Sequence, residues 1–440
     1  MSEMYDLILK NGHVFVENGL KDAEIAVKDG KIAAIGHGFD GEEVFDATGL
    51  TILPGVMDTQ VHFREPGLTH KEDIEHGTMA AALGGITLIF DMPNVNPLTL
   101  TAETHQQKLD IAAEKGWVDY GFFIGGSAEN VDQLAELEKR PGCPGVKIFM
   151  GSSTGNLLVE DEEILEAIIR DGGVRRITAH AEDEAMLRER AHIAKEGKDP
   201  ALHPVWRSAE TALKATTKLV NLGRKHNRPV HVLHISSKEE MAFLQDQKDI
   251  ATVEVLANHL TLAAPDCYER LGTHAQQNPP IRDKSHQDVL WQAVNSGLVD
   301  VLSTDHAPHT LEEKAKTYPD SPSGTPGVQT FVALMLGHVN SGRLSLAKFV
   351  DLTTTGPVRT FGIKNKGKIA VGYDADFTIV DMKADKTFQN DQIVSKCGWT
   401  PYDGQKTTAW PMATIIRGQI AMRDDELQAR PMVQPVKFQS

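Results

Sequence analysis

Residues 52–64 read I-L-P-G-V-M-D-T-Q-V-H-F-R, and the rhythm of the chain changes at Pro54. Before it, short apolar runs (Tyr5 to Leu9, His13 to Val16, Ala23 to Val27, Ile32 to Ile35) alternate with the turn signals Asn11-Gly12 and Asp29-Gly30, the pattern of an antiparallel β module. After it, short apolar strands are separated by long helical patterns. Strands are predicted at Val56 to His62, Ile86 to Met92, Tyr120 to Gly125, Val146 to Met150, Ile177 to His180, Val230 to Ile235, Thr252 to Ala257 and Val299 to Thr304. Helix-like stretches between them include Asn130 to Lys139, Glu163 to Arg170, Glu210 to His226, Glu239 to Gln247 and Gln287 to Ser296. About eight strand and helix units in succession predict an α/β fold of the (β/α)8 TIM-barrel type over residues 54–361, in preference to an open doubly wound sheet. The β rhythm returns in K-G-K-I-A-V-G-Y-D-A-D-F-T-I-V-D, residues 366–381, and again over Ala413 to Met422. Residues 1–53 and 362–440 are therefore predicted to form one small discontinuous β-sandwich domain.

A chain of 440 residues has ample core for this plan, and 40% hydrophobic with 24% charged residues is ordinary for a soluble protein. The formal net charge of -16 argues against nucleic acid and anionic membrane as partners, since both reward a basic surface. A small anionic substrate is still allowed, because a pocket sets its own local field. Cys143, Cys267 and Cys397 are far apart and odd in number, so neither a disulfide framework nor a cysteine metal knot is expected. The N-terminal M-S-E-M-Y-D-L-I-L-K-N-G lacks a basic segment followed by an apolar one, and no run approaches spanning length. A cytoplasmic location is the expectation.

Barrel active sites lie at the C-terminal ends of the strands, and here nearly every strand ends in chemistry. The first ends at Gln60, His62 and Arg64, which share one face if the chain stays extended. The second leads into Asp91-Met92-Pro93-Asn94, and the fourth carries Lys147 within the apolar G-V-K-I-F-M. The fifth ends at His180, the sixth at His234, and the eighth runs into Asp305, His306 and His309. Singly, each has a plain explanation: a rim histidine in a hydrogen bond, an edge lysine with its amine in water, an aspartate capping a helix. Together, His62, His180, His234 and Asp305 on one rim form a donor set suited to zinc or a similar divalent ion. A buried Lys147 would lose its charge readily, and a neutral amine can add carbon dioxide to become a bridging carbamate ligand. His231 alternates with Val230, Val232 and His234, so it is expected to point outward to the helices and is kept off the ligand list.

These residues resemble a known family. The chain resembles the cyclic amidohydrolases of the metal-dependent hydrolase superfamily, and within them the dihydroorotases. L-I-L-K-N-G, G-K-I-A-A-I-G and G-Y-D-A-D-F-T-I-V-D carry the superfamily likeness; H-F-R-E-P-G-x-T-H-K-E-D, D-M-P-N, N-P-P-I-R and D-H-A-P-H-T-L-E-E-K carry the finer one. The resemblance implies two zinc ions, one on His62, carboxylated Lys147 and Asp305, the other on carboxylated Lys147, His180 and His234, with a hydroxide between them. It implies reversible hydrolysis of dihydroorotate to N-carbamoyl-L-aspartate in pyrimidine biosynthesis, with Asp305 as proton shuttle. Arg64, Asn94 and His309 match the positions that hold the substrate carboxylate, Asn278 a ring contact, and Ser323 and Gly324 possible backbone contacts in the loop that closes over the site. A homodimer, and an association with aspartate transcarbamoylase, are known in the family and are carried as expectations.

Two departures stand out. Gln60 occupies the place of the first histidine of the usual H-x-H, and Ala257-Asn258-His259-Leu260 replaces the frequent P-H-H-L. With Gln60 discounted, the first metal still has His62, the carbamate, Asp305 and the hydroxide, enough for tetrahedral zinc but with weaker retention than the second. Gln60 is then a weak ligand or a hydrogen-bonding neighbour. The rival readings are an allantoinase or hydantoinase, whose substrates leave Arg64 without a partner, and a catalytically silent relative serving as a partner of the transcarbamoylase.

Overall fold

The computed structural model describes residues 4–17, 19–152 and 157–439. Eight parallel strands, here β1 to β8, build the barrel: Val56–Val61, Ile86–Asp91, Asp119–Phe122 (resumed at Ile124–Gly125), Val146–Phe149, Ile177–His180, Val230–Val232, Ala251–Leu256 and Val301–Ser303. Consecutive strands pair in parallel from β1 to β3, and from the Ile124–Gly125 piece through β4 to β8. Closure between β8 and β1 is made by the bridge of Val61 with His306 and by Asp58 of β1, whose carboxylate accepts from the Thr304 amide at 3.2 Å and hydroxyl at 2.5 Å. Burial pushes the Asp58 carboxyl up to about 7.

Strand alternation divides the barrel. Val56, Ile89, Ile148, Ala179, Val230, Val232 and Val255 face the helices in the main core cluster, whereas Met57, Leu88, Phe90 and Leu233 face inward with Phe123 and Phe361. The helix over Ala209–Lys225 shows the local logic. Ser208 caps its first turn through Thr211 N, and Ala212, Ala215, Leu219 and Val220 are buried at helical spacing. The helix expected over residues 130–139 is shorter, a 3-10 turn at Val131–Gln133 and one helical turn at Leu134–Leu137. Only Leu134 and Leu137 are buried there, too little apolar face to sustain more turns.

Both ends of the chain meet in a β-sandwich. Thr51–Pro54 pairs antiparallel with Phe377–Asp381, Ile52 opposite Ile379, inside a seven-stranded sheet. A four-stranded sheet from residues 5–46 lies over it, and Leu7, Leu9, Ile25, Val27, Ile52, Phe377, Ile379 and Ile415 form the shared core. Two later pieces leave the sandwich for the barrel. Residues 390–407 lie across its C-terminal face, and Val436 and Phe438 join the inner cluster around Phe90 and Phe361. No helix among the described residues is long and apolar enough to cross a membrane.

Candidate active site

The strand ends bring His62, Lys147, His180, His234 and Asp305 together at one rim. His62 Nε2 lies 3.1 Å from Asp305 Oδ1, and His180 Nδ1 lies 3.0 Å from His234 Nε2. Lys147, fully buried on β4, is within electrostatic reach of Asp305, His180 and His234, with its Nζ 4.4 Å from the centre of the Phe149 ring. Burial pushes the Lys147 amine down to about 7. Burial works against the Asp305 charge, but the contact with His62 holds its carboxyl well below the usual range. Burial pushes the His180 and His234 rings below the ordinary imidazole range, His234 furthest.

The backbone pays for this convergence in conformation. Arg64, His234 and Asp305 have φ of 60°, 40° and 49°, a region that L-residues other than asparagine and aspartate seldom adopt. The extended geometry assumed for Gln60, His62 and Arg64 thus ends before Arg64. The same effect corrects the reading of His231. Val230 and Val232 point to the helices, so His231 points into the barrel, 2.8 Å from Thr252 Oγ1, 3.6 Å from Glu254 and edge-on to Phe361. His234 shares the interior because the chain leaves the strand after Val232, and alternation counted across that bend fails.

The donor set suits metal ions. Gln60 Oε1, Lys147 Nζ and His234 Nδ1 are buried and lack a hydrogen-bond partner among the described residues, an expensive arrangement in protein alone. Among these residues no three His, Cys, Asp or Glu side chains gather closely enough to hold a metal ion between them. Neighbours orient the donors. His62 Nδ1 donates to Asn94 Oδ1 at 2.7 Å, leaving Nε2 to face Asp305. His180 Nε2 lies 3.0 Å from Glu182, itself paired with the buried Arg207. Asn94, expected at the substrate carboxylate, therefore buttresses His62 directly.

Beside the donors lies a pocket of net positive charge, in which Arg64 and Lys71 face Glu313, which pairs with Lys71 at 3.0 Å. Arg64 is 1% exposed; its Nε donates to Pro308 O at 3.2 Å, its Nη2 stands 3.4 Å from His309 Nε2, and no carboxylate among the described residues pairs with it. His309 Nε2 donates to Ser323 O at 3.0 Å, and its Nδ1 is 3.2 Å from Lys71 Nζ. Burial pushes the His309 ring down to about 3, so it is a neutral hydrogen-bonding group in this pocket. Gly324 closes the same turn: at φ 144° a Cβ would lie 2.9 Å from His309 Cδ2. Asn278 Oδ1 accepts from His203 Nε2 at 2.9 Å, and His203 Nδ1 in turn meets the Tyr318 hydroxyl at 3.2 Å. Asn258 is saturated, donating to Gln277 Oε1 at 2.8 Å and Thr325 Oγ1 at 2.6 Å and accepting from Tyr402, so it knits the wall beside the seventh strand.

Sequence reasoning missed Lys71, Glu254, His203 and the Glu182–Arg207 pair. Glu254 carried the same signal as Lys147, an ionisable residue inside the apolar strand T-V-E-V-L, and burial pushes its carboxyl up to about 8. Trp399 carried none: its indole donates to His309 O at 2.8 Å from a segment distant in sequence.

Comparison with known proteins fits this geometry. The pattern of the amidohydrolase family matches residues 51–421. The chain belongs to the amidohydrolase family. This amidohydrolase is 36% identical over 446 residues to the dihydroorotase of Methanosarcina mazei, covering 97% of this chain and 96% of that protein. It is 37% identical over 424 residues to the dihydroorotase of Pyrococcus abyssi, covering 95% of each. Among solved structures, an L-hydantoinase (dihydropyrimidinase) from Arthrobacter aurescens superposes with a TM-score of 0.93 at 29% identity, covering 98% of this chain and 100% of that one.

Proposed function

We propose that this amidohydrolase is a dihydroorotase, opening the dihydroorotate ring to N-carbamoyl-L-aspartate and closing it in reverse. The observation that carries the choice is Arg64, a buried guanidinium with no carboxylate partner among the described residues, beside His309 and Lys71. A desolvated cation of this kind favours a substrate that brings its own carboxylate. Hydantoins and allantoin have none to offer at that place. The near full-length identity to dihydroorotases supports the same reading.

His62 and Asp305 would hold one divalent ion, His180 and His234 a second, and a Lys147 carbamate would join them; nitrogen and oxygen donors favour zinc. Such ions supply an activated water at neutral pH and polarise the carbonyl that it attacks. Around them, Arg64 anchors the carboxylate and so fixes which ring face meets the donors. Asp305 Oδ1, in contact with His62 Nε2, is placed to take a proton and return it to the departing ring nitrogen. Asn278, its oxygen engaged by His203, would offer its amide donors to a ring acceptor. Three buried free thiols suit a reducing cytoplasm.

The test is hydrolysis of dihydroorotate, allantoin and dihydrouracil side by side, with metal counted per chain. Dihydroorotate is expected to be strongly preferred; preference for a neutral ring overturns the reading. Gln60 favours one second reading, a silent partner of aspartate transcarbamoylase, for which the outcome is bound metal with turnover in neither direction.

Gln60 also gives a metal prediction. Its unpartnered Oε1 beside His62 is expected to be a poor substitute for imidazole, so Gln60→His should tighten the more weakly held ion by about 10- to 100-fold. Chelator competition on the natural chain should resolve one weak and one strong site, and two equally tight sites would refute this.

A further inference from the structure

Lys314, on the short helix Leu311–Lys314, is fully buried, yet its ammonium bonds no carboxylate among the described residues. Instead it donates to three backbone carbonyls: Pro322 at 2.9 Å, Gln276 at 3.1 Å and Gly324 at 3.1 Å. Burial pushes the Lys314 amine down to about 7, and the three carbonyls, one for each N–H of an ammonium, offset that cost in the charged form. Two of the carbonyls flank Ser323, whose own carbonyl receives the His309 Nε2 proton at 3.0 Å. Gln276 stitches the same turn a second time, donating through Nε2 to Ser321 O at 2.8 Å and Ser323 Oγ at 3.1 Å and accepting from Gly324 N at 2.9 Å.

The consequence runs along hydrogen bonds to the cationic pocket. With Ser323 O fixed, His309 carries its proton on Nε2, its Nδ1 faces the Lys71–Glu313 pair at 3.2 and 3.4 Å, and its ring stands beside Arg64. If the turn moved, His309 could change tautomer or rotate, and the wall around Arg64 would loosen. We propose that Lys314 is a positioning residue for the anion pocket, holding the 321–324 turn so that Ser323 fixes His309 against the substrate carboxylate. The proposal rests on the dihydroorotase reading.

A structural clasp alone would affect folding and metal retention; a positioning role falls on substrate affinity. Lys314→Met keeps the aliphatic stem and removes every donor, and Lys314→Gln keeps two. Dihydroorotate hydrolysis is measured for both and for the natural chain, with metal content per chain. The expected result for Lys314→Met is a KM raised about tenfold or more with kcat changed less than about threefold and metal content unchanged, and for Lys314→Gln an intermediate KM. If Lys314→Met does not fold, the KM of Lys314→Gln decides. A KM within about twofold of the natural chain in the folded variant, or kcat and metal content falling together at constant KM, overturns the proposal. If the metal-loaded natural chain does not hydrolyse dihydroorotate at all, the functional reading itself has failed and the proposal falls with it.

Discussion

Replacing Lys147 with alanine is expected to lower turnover by at least about 10³-fold and to release most of the bound metal, the largest effect foreseen for any single residue. The side chain is fully buried, its Nζ has no hydrogen-bond partner among the described residues, and burial brings the amine down to about 7. A free amine is then available near neutral pH to form a bond to the carbon of carbon dioxide, losing a proton and gaining a carboxylate. That product would relieve the orphaned nitrogen and provide the oxygens that join the His62–Asp305 pair to the His180–His234 pair. Intact-mass measurement under mild conditions should show the natural chain heavier by one carbon dioxide and Lys147→Ala without it. Short carboxylic acids added to Lys147→Ala should restore part of the metal and activity by filling the vacated volume with a carboxylate. An unmodified lysine in a fully metal-loaded, active enzyme would defeat the argument.

Arg64→Met should lower kcat/KM for dihydroorotate by about 10²- to 10³-fold, corresponding to the roughly 2–5 kcal/mol expected when one member of a buried charge pair is removed. The replacement nearly matches the volume of the aliphatic stem, so the loss falls on the charge. Arg64 Nε would also leave Pro308 O without its donor, a smaller cost of about 1 kcal/mol. Activity on dihydrouracil, which lacks the carboxylate, should change by less than about threefold, and metal content should be unaltered. Equal losses on both substrates would instead make Arg64 a structural support. Lys71 is paired with Glu313 at 3.0 Å, so little preference for the anion should survive in Arg64→Met.

Much of the site was legible because barrels place chemistry at strand ends. Lys147 stood out as a charge inside an apolar strand, and the structure puts it where that oddity suggested, inward and without a partner. Glu254 offered the same oddity and was passed over. Period-two alternation turns His231 outward only if it runs past Val232, where the chain bends, to His234 with its positive φ. The cationic pocket was read as a set of separate residues. That His309 takes its tautomer from Ser323 O, and Ser323 its place from Lys314, depends on contacts across turns with no periodic signature.

The terminal pieces mark the same division. The return of β rhythm after residue 365 implied a sandwich made from both ends, and Ile52 opposite Ile379 realises it, since alternating apolar strands must find a second face to bury. Nothing in the sequence told that Trp399 and Tyr402 would leave the sandwich and bond His309 O and Asn258 across the barrel mouth. The sequence by itself determined the order of strands and helices, the barrel they close into and which polar side chains stand at its strand ends, because periodicity and residue chemistry are local properties. The tertiary structure alone decided which donors pair, which carbonyls fix their tautomers and which distant segment walls the site, because those depend on distances between residues that burial brings together from far apart in the chain.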